Sequence, residues 1–402
     1  VVVTDLKSAE DLRTSVAELE DFPNIKFVLG EHRKEDFENR DFILKAAGVP
    51  LDSEYILHAK KNNIPVYMDE ALFVMLAPKI TTIGVTGTRG KTTTTMMIDA
   101  ILSKFGRRYL LGGNIRGIAT LPLLETVREG DIVLMELSSW QLQGFGDLGI
   151  SPNIAVFTNL YDDHFNYYKA DVSAYFKDKS FIYKNQKLSD VLVYGANIPQ
   201  VFQPDIESAV SDKIKVSASD IPEDLTLKIP GEHNRLNALM AFKVAESLGV
   251  SMEQILSALA DFDGVPGRLE LVNVSRGVYY YNDTTATTPD ATVNAIEAVR
   301  EKGPIILIMG GFDKGLDMSS VIQKSAELKK IILLPGTGSD SIVAKGLTNF
   351  ERVESLKEAI DKARSMADAG DVVLLSPAFA SFGLFKNEFD RGDQFDAIVK
   401  AI

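Results

Sequence analysis

The sequence predicts an α/β protein built on parallel, doubly wound sheets. Strand-like runs alternate with helix-like runs along the 402 residues, and runs such as IILIM at 305–309 and DVVLL at 371–375 lack polar alternation. Strands of that kind are covered on both faces, as in parallel sheets flanked by helices. A glycine-rich turn, GVTGTRGKT at 84–92, also follows an apolar strand and precedes a helix-like run. That order is typical of α/β nucleotide-binding domains.

Composition excludes several classes of protein. The chain is 45% hydrophobic and 25% charged, with a formal net charge of -13 and no cysteine. The acidic balance argues against a nucleic-acid partner, which needs a basic footprint. No apolar run approaches the roughly 18 residues that cross a bilayer, and no signal peptide opens the chain. Without cysteine there is neither a disulfide nor a thiolate metal site. We therefore expect no nucleic acid, no membrane and a cytoplasmic protein.

The length and two turn-rich positions predict three domains. A chain of 402 residues has room for two to three hydrophobic cores. Pro78-Lys79 and Gly264-Val265-Pro266-Gly267 interrupt the alternation of elements. We therefore expect domains at 1–78, 79–265 and 266–402, with Gly264–Gly267 as a hinge.

The hydrophobic pattern predicts the elements in order. The predicted strands are Val1–Val3, Ile25–Leu29, Asp41–Leu44, Ile64–Tyr67, Ile80–Thr86, Ile132–Leu137, Ile154–Thr158, Val191–Tyr194, Val278–Tyr281, Ile305–Met309, Ile331–Leu334 and Val372–Leu375. The predicted helices are Ser8–Glu20 with Ser8 as its cap, Asp52–Asn62, Asn234–Leu248, Met252–Phe262, a helix capped by Thr288 and ending at Arg300, Ser319–Leu328, Leu356–Ala367 and Leu384–Ala401.

The glycine-rich turn predicts a phosphate site. Such turns wrap backbone N–H groups around phosphate, while the lysine neutralises its charge and the hydroxyl after it reaches Mg²⁺. The strict pattern places its first glycine where this chain has Val85, so a structural loop of chance spacing is the alternative. The strand before it and the helix after it favour ATP. The predicted contacts are Gly87, Thr88, Arg89, Gly90, Lys91, Thr92 and Thr93.

Two further predicted strands of this domain end in acids. Glu136 closes the strand before Ser138, and Asp162, Asp163 and His164 follow the next strand along the chain. Carboxylates at such positions suit magnesium, and two acids would hold up the pKa of a neighbouring histidine. Solvated strand-end residues are the alternative. Lys179 shares a helical stretch with Lys177 and Lys184, a pattern that by itself predicts a solvated basic face.

Polar residues in the second half stand at comparable places. Asn234 and Asn237 lie one turn apart at a helix start, where they suit either a cap or the edge of a base. Arg268 follows the hinge, and Asp283, Lys314 and the stretch Ser376–Ser381 follow strands. Each alone is best explained as a cap, turn or solvated charge. Together they mark the crevice where doubly wound sheets bind ligands.

The chain as a whole resembles the Mur ligase family, and within it the branch that adds D-glutamate. The motifs that carry the resemblance run in family order: GVTGTRGKTTTT, GGNIRG, MELSSWQL, TNLYDDHFNYY, YFKDKSFIY, GEHNRLNALMA, VPGRLE, NDTTATTPDA, GGFDKG and LSPAFASFGLFKNEFDRGDQF. The resemblance implies a Rossmann-like N-terminal domain, a central P-loop ATPase-like domain with a parallel sheet, and a Rossmann-like C-terminal domain. It also implies a cytoplasmic, monomeric ligase of peptidoglycan synthesis that joins UDP-N-acetylmuramoyl-L-alanine to D-glutamate.

The same resemblance implies roles for individual residues. ATP and two Mg²⁺ ions are the implied cofactors, and Lys179 is expected to be carbamylated and to bind the second ion. The implied catalytic residues are Lys91, Glu136, His164 and Lys179, of which the last three bind metal together with Thr92. The implied ATP contacts beyond the turn are Asn237, Arg268 and Asp283, and the implied substrate contacts are Lys7, Asn114, Ser138, Thr287, Lys314 and Ser381.

Three departures from the family pattern leave alternatives open. The family's Asp-Ser-Lys-Ala-Thr-Asn is Asp283–Thr288 here, so a lysine is replaced by Thr285, and Glu388-Phe389 stands where Phe-Glu is usual. The family's first strand and glycine turn, which contact UDP, would precede Val1, so the chain is truncated or binds uridine differently. A sister ligase for another amino acid, a folylpolyglutamate-synthase-like enzyme, a P-loop kinase and a non-catalytic nucleotide-sugar binder are the competing interpretations.

Overall fold

The computed structural model describes residues 1–161, 163, 165–169 and 171–402, with the backbone alone at 165 and 166. The predicted residues Asp162 and His164 lie outside these ranges. The described residues form two compact units. The first unit comprises residues 1–88, 108–192 and 198–213, and the second comprises 89–107, 193–197 and 214–402.

The N-terminal stretch forms two small parallel sheets. Its strands are β1 (Val2–Asp5), β2 (Lys26–Leu29), β3 (Ile43–Leu44) and β4 (Val66–Tyr67), and its helices are α1 (Arg13–Ala17), α2 (Glu54–Lys61) and α3 (Asp69–Leu76). Strand β1 pairs with β2 and β3 pairs with β4. The predicted helix Ser8–Glu20 is wrong in extent. The hydroxyl and backbone N–H of Ser8 both donate to the Asp11 carboxylate, which holds a local turn, and the helix begins only at Arg13.

A six-stranded sheet follows, in the order β10-β9-β8-β5-β7-β6. Its strands are β5 (Thr81–Thr86), β6 (Tyr109–Gly113), β7 (Ile132–Glu136), β8 (Ile154–Phe157), β9 (Val191–Gly195) and β10 (Asp212–Val216). The helices of this stretch are α4 (Lys91–Phe105), α5 (Ser139–Leu148), α6 (Phe165–Tyr168), α7 (Val172–Ser180), α8 (Gln203–Glu207), α9 (Glu232–Ser247) and α10 (Met252–Asp261). Strand β5 pairs in parallel with β7 on one side and β8 on the other, so the carboxyl ends of all three lie side by side.

The C-terminal stretch forms a second six-stranded sheet, in the order β11-β12-β16-β13-β14-β15. Its strands are β11 (Glu270–Ser275), β12 (Val278–Asn282), β13 (Ile305–Met309), β14 (Lys330–Leu333), β15 (Phe350–Arg352) and β16 (Val372–Leu375). Its helices are α11 (Pro289–Val299), α12 (Ser319–Lys324), α13 (Thr337–Ala344), α14 (Leu356–Met366) and α15 (Glu388–Lys400). Only β11 pairs antiparallel in this sheet as described.

The sheet is covered on both faces, as its apolar runs predict. Leu307 and Met309 of β13 pack in one hydrophobic core with Leu374, whereas Ile306 and Ile308 pack in a second core. The prediction of an α/β protein with parallel sheets is therefore confirmed. The hydrophobic pattern does not predict β6, β10, β11 and β15, which are the outermost strands of the two large sheets. No helix among the described residues is long and apolar enough to cross a membrane.

Candidate active site

The glycine-rich turn joins the end of β5 to the start of α4. Gly87 and Gly90 adopt φ angles of 146° and 81°, a region that residues with a Cβ rarely enter. A side chain at Gly87 would overlap the Thr158 hydroxyl, and one at Gly90 would overlap the Asn237 side chain. Both glycines are therefore required by space as well as by backbone conformation. The first N–H groups of a helix have no intrahelical acceptor, so the start of α4 at Lys91 is suited to an anion.

The first part of the turn is fixed within the first unit by neighbouring loops. The backbone N–H of Thr88 donates to the carbonyl of Asn159 at 3.0 Å, and its hydroxyl donates to the carbonyl of Tyr161 at 3.2 Å. Thr88 therefore holds β5 to the loop after β8. The contact gives Thr88 a structural role beside the predicted one.

Lys179 lies buried beneath the same turn. Its side chain is 1% exposed, and Nζ donates to the carbonyl of Gly87 at 2.8 Å and contacts Thr86 Oγ1 at 3.5 Å. The ammonium also lies 4.7 Å from the centre of the Tyr175 ring, a cation–π contact. The solvated basic face that the local pattern predicts is wrong for Lys179, although Lys177 on the same helix is exposed. The buried amine of Lys179 thus contacts the glycine-rich turn.

Glu136 stands at the end of β7 with one carboxylate oxygen unsatisfied. Oε1 accepts a 3.3 Å hydrogen bond from Asn114 Nδ2, and the backbone N–H of Asn114 donates to the Glu136 carbonyl at 2.8 Å. The side chain is buried, and Oε2 has no hydrogen-bond partner among the described residues. A buried anionic oxygen without a donor is unfavourable unless a cation approaches it. Glu136 therefore fits a divalent-cation ligand, with Asn114 orienting it.

Two other residues that are predicted to bind substrate, Ser138 and Lys7, have roles in the local structure of the first unit. Ser138 caps α5: its Oγ accepts from the backbone N–H of Gln141, whose side chain accepts in return from the N–H of Ser138. Lys7 is exposed, and its backbone N–H donates to Asp5. His164 is outside the described residues. Within those residues no three histidine, aspartate or glutamate side chains form a metal-binding group.

In the second unit, two arginines contact threonines at the ends of other segments. Arg268 donates to Thr92 Oγ1 at 2.9 Å, which joins the residue after Gly267 to the threonine that is predicted to bind magnesium. Arg89 donates to Thr288 Oγ1 at 2.8 Å. Thr288 occupies the N-cap position of α11, but its side chain makes no capping bond. The prediction that Thr288 caps the helix is therefore right in position and wrong in mechanism.

Asn237 closes over the second part of the turn. Helix α9 begins at Glu232 with Gly231 at its N-cap, so neither Asn234 nor Asn237 caps it. Asn234 Nδ2 instead donates to the carbonyl of Pro230 at 2.7 Å, and Asn237 Nδ2 donates to Asn234 Oδ1 at 3.4 Å. This contact turns the Asn237 amide oxygen toward Gly90. Asn237 thus faces the turn, as its predicted ATP contact requires.

Asp283 follows β12 and ties three segments together. Its Oδ2 accepts from the Ser376 hydroxyl at 2.9 Å, and its Oδ1 accepts from the backbone N–H of Leu269 at 3.1 Å. Burial raises the pKa of Asp283 to about 7, although both hydrogen bonds and the charge of Arg268 oppose the shift. The carboxyl group therefore holds the segment after Gly267 against the ends of β12 and β16.

The predicted amino-acid contacts lie at the ends of adjacent strands β12, β13 and β16. Lys314 Nζ lies 3.4 Å from Thr287 Oγ1. Phe312 and Ala380 form an antiparallel bridge, which brings the loop of Lys314 beside buried Ser381. A lysine and two hydroxyls at one sheet edge can receive a carboxylate.

Comparison with known proteins identifies the family of this chain. Residues 85–220 match the family model described as the Mur ligase middle domain, and residues 267–379 match that described as the Mur ligase glutamate ligase domain. The chain is 34% identical to a UDP-N-acetylmuramoylalanine–D-glutamate ligase of Roseiflexus sp. (strain RS-1), covering 100% of this chain and 93% of that protein. It is also 34% identical to a protein of the same name from Borreliella afzelii (strain PKo), over 99% of this chain and 91% of the relative. The chain belongs to the Mur ligase family.

A solved structure supports the fold of this Mur ligase. The MurF ligase of Thermotoga maritima, crystallised in complex with ADP, superposes with a TM-score of 0.64 at 18% identity. The alignment covers 92% of this chain and 97% of that one. At that identity the likeness speaks for the α/β architecture alone.

In this Mur ligase, sequence reasoning missed a buried arginine beside the candidate amino-acid site. Arg391 donates to Thr284 Oγ1 at 3.0 Å, to the Thr284 carbonyl at 2.8 Å and to the Phe379 carbonyl at 3.4 Å. It is fully buried, and burial lowers its pKa to about 10. Arg391 therefore supports the loop that carries Thr287. Its motif was recognised, but no local pattern indicates that the guanidinium turns inward.

Two glycines of this Mur ligase allow a matched test of the turn. Gly90 and Gly106 bound α4 with φ angles of 81° and 77°, but only Gly90 has a side chain against it. We expect Gly106→Ala to lower the free energy of unfolding by about 1–2 kcal/mol, the usual penalty of the left-handed region. Gly90→Ala should cost more, because its Cβ also overlaps Asn237. Urea unfolding measures both.

The double variant Gly90→Ala/Asn237→Ala is the internal control. Removing the amide should return the cost of Gly90→Ala toward that of Gly106→Ala. If Gly90→Ala and Gly106→Ala lowered the free energy of unfolding equally, a side chain at Gly90 would not be opposed by Asn237.

Proposed function

We propose that this chain joins D-glutamate to UDP-N-acetylmuramoyl-L-alanine with the conversion of ATP to ADP and phosphate, in the synthesis of peptidoglycan precursors. The observation that carries the proposal is the near-full-length similarity to relatives named for that reaction. The glycine-rich turn, the unsatisfied oxygen of Glu136 and the Lys314–Thr287 contact support it.

We propose three domains for this work, at 1–78 for the UDP-sugar, 79–265 for ATP and 266–402 for the amino acid. Rossmann-like folds are proposed for the outer two and a P-loop ATPase-like fold for the central one. We further propose that the ligase acts as a cytoplasmic monomer. The hinge at Gly264–Gly267 is proposed to let the third domain approach the second.

The proposed reaction has two steps. An oxygen of the L-alanyl carboxylate attacks the γ-phosphorus of ATP, the bond to the β-phosphate oxygen breaks, and ADP leaves. The amine of D-glutamate then attacks the acyl carbon, loses a proton and expels phosphate. In the first step Lys91 and the N–H groups at the start of α4 offset the charge that repels nucleophile from phosphate. Lys314 and Thr287 hold the D-glutamate carboxylate so that its amine is aligned.

Two Mg²⁺ ions are proposed as cofactors, and when bound they would neutralise phosphate charge. Glu136 and Thr92 are the proposed ligands among the described residues, and His164 is proposed with them. An ammonium cannot bind a cation, so Lys179 enters this set only as a carbamate. The neutral amine would add to CO₂ and lose a proton, replacing a positive charge by a negative one beside the turn.

An amino-acid panel tests the function directly. Purified protein with ATP, Mg²⁺ and UDP-N-acetylmuramoyl-L-alanine should release phosphate when D-glutamate is added. Other amino acids should support at least about tenfold less phosphate release, because they lack the side-chain carboxylate that is proposed to pair with Lys314. Preference for another amino acid would favour the sister-ligase alternative that Thr285 leaves open. Binding without phosphate release would favour the non-catalytic alternative.

Lys179 and Lys177 form a matched pair on α7. Lys179→Ala should lower D-glutamate-dependent phosphate release by at least about a hundredfold, the scale on which charge stabilisation is lost. Lys91→Ala should do the same. Lys177→Ala should stay close to the unmodified protein, because Lys177 is exposed.

A carbamate can be separated from a purely structural ammonium. Acetate or formate should partly restore Lys179→Ala, and depletion of CO₂ should slow the unmodified protein. Full turnover in Lys179→Ala would contradict the proposed role.

Lys314 should act on the amino acid alone. Lys314→Ala should raise the KM for D-glutamate by about ten- to a hundredfold, the loss of one charge-assisted hydrogen bond. The KM for ATP should change by less than about twofold, since the lost group is assigned to the other substrate. Lys345→Ala, an exposed lysine of the same unit, is the control. Equal effects on both substrates would show that the assignment of Lys314 is wrong.

A further inference from the structure

Glu70 is a buried carboxyl group to which the proposed mechanism gives no role. It lies in α3, in the N-terminal stretch, and is 2% exposed. It makes no ion pair within the described ranges, so no cation compensates its burial. Burial, with the neighbouring Asp69, raises the pKa of Glu70 to about 9. An uncompensated buried carboxyl is unfavourable for folding, so the contacts that it makes need an explanation.

Both hydrogen bonds of Glu70 end on one oxygen and come from the central sheet region. Gln141 Nε2 donates to Oε1 at 2.5 Å, and Thr120 Oγ1 donates to the same atom at 3.5 Å. Oε2 has no hydrogen-bond partner among the described residues. One oxygen of Glu70 thus receives donors from two loops that are distant in sequence.

The first branch runs through Gln141 to Ser138. A glutamine amide can point either way, and its orientation follows from its partners. Since Nε2 donates to Glu70, Oε1 faces the other way and accepts from the backbone N–H of Ser138 at 2.8 Å. Glu70 therefore fixes the side-chain amide that binds the N-cap of α5. This N-cap, Ser138, lies two residues after Glu136.

The second branch runs through Thr120 to Gly113. The Thr120 hydroxyl accepts from the backbone N–H of Gly113 at 2.8 Å, and Glu70 orients this hydroxyl by accepting its hydrogen. Gly113 has a φ of 83° and lies so close to the Glu136 backbone that a Cβ would overlap its carbonyl. The next residue, Asn114, donates to Glu136 through backbone and side chain.

Both branches converge on the same place, the carboxyl ends of β6 and β7. We propose that Glu70 is a positioning residue that sets Asn114, Glu136 and Ser138 for the UDP-sugar substrate. The inference rests on the proposed function for the identity of that substrate. It assigns to the N-terminal stretch a part in the chemistry besides binding the nucleotide end.

The size and polarity of Glu70 allow a sharp comparison of two variants. Glu70→Gln keeps an acceptor at Oε1 for Gln141 and Thr120, so both branches persist. Glu70→Leu has a similar volume and no acceptor, so Gln141 and Thr120 are released. Gln186→Leu is the matched control, because Gln186 is a buried glutamine whose bonds go to Pro152, Val191 and Ser211.

The first readout is independent of activity. Hydrogen exchange of the backbone amides of Gly113 and Ser138 should be at least about tenfold faster in Glu70→Leu, the equivalent of one lost hydrogen bond. Glu70→Gln and Gln186→Leu should leave both amides unchanged. Unchanged exchange in a folded Glu70→Leu would overturn the inference.

The second readout is kinetic. Glu70→Leu should raise the KM for the UDP-sugar by about tenfold, while the KM for ATP stays within about twofold. Glu70→Gln should stay within about threefold of the unmodified protein in both, because it keeps both bonds. An equal rise in the KM for the UDP-sugar and the KM for ATP would show a merely structural role for Glu70 and would contradict the proposal.

Failure of Glu70→Leu to fold is covered by Thr120→Val, which removes the second branch alone. That variant should speed exchange at Gly113 and leave Ser138 unchanged, and the opposite pattern would overturn the inference. If the unmodified protein shows no turnover with UDP-N-acetylmuramoyl-L-alanine, the proposed function fails. The exchange result still decides whether Glu70 organises these loops.

Discussion

Parallel strands that are buried on both faces leave only their ends for polar chemistry, and this constraint shapes both large sheets. In the first sheet, β5, β7 and β8 end together, so the turn at Gly87 and the carboxylate of Glu136 follow neighbouring strands. In the second sheet, β12, β16 and β13 are adjacent, which places Asp283, Ser381 and Lys314 at one edge. The order of the strands, which is set by hydrophobic burial, thus decides which polar residues can act together.

Burial then decides what those residues can do. Inside the protein a polar group must find a partner, and most of the candidate residues have one. The Lys179 ammonium donates to the carbonyl of Gly87, and Asp283 accepts from Ser376 and Leu269. Glu136 is the exception, since one oxygen is buried and unsatisfied among the residues described. Within the first unit, where Lys179 is fixed and one oxygen of Glu136 is left open, this arrangement suits the cation proposed at Glu136.

Much of the fold and of the candidate site could be predicted from the sequence, because it depends on local patterns of residues. A glycine-rich turn between strand and helix, and acids directly after apolar runs, are features of neighbouring residues, and β13 and β16 begin and end where the pattern predicts. The burial of Lys179 could not be predicted locally, because it depends on packing of α7 against a turn about ninety residues earlier. The same holds for Thr288, whose hydroxyl serves Arg89 instead of its own helix, and for Glu70, whose partners lie 50 and 71 residues away. Sequence patterns report the period of a helix or strand, whereas these contacts are set by how elements meet.

Thr285 stands where the resemblance to the family predicts a lysine, and it makes its contacts without a charged side chain. The backbone N–H and hydroxyl of Thr285 both donate to the carbonyl of Gly267, each at 3.2 Å. Thr285 thus fastens Gly267 to the loop that carries Thr287, and a long cationic side chain is not needed for that contact. Positive charge still reaches this loop from elsewhere, because Arg89 donates to Thr288 and Lys314 lies beside Thr287. Since both cations approach from other segments, the charge available to an anionic substrate here depends on those segments being in place. The proposed amino-acid site is in this way joined, through Arg89, to the turn that is proposed to hold ATP.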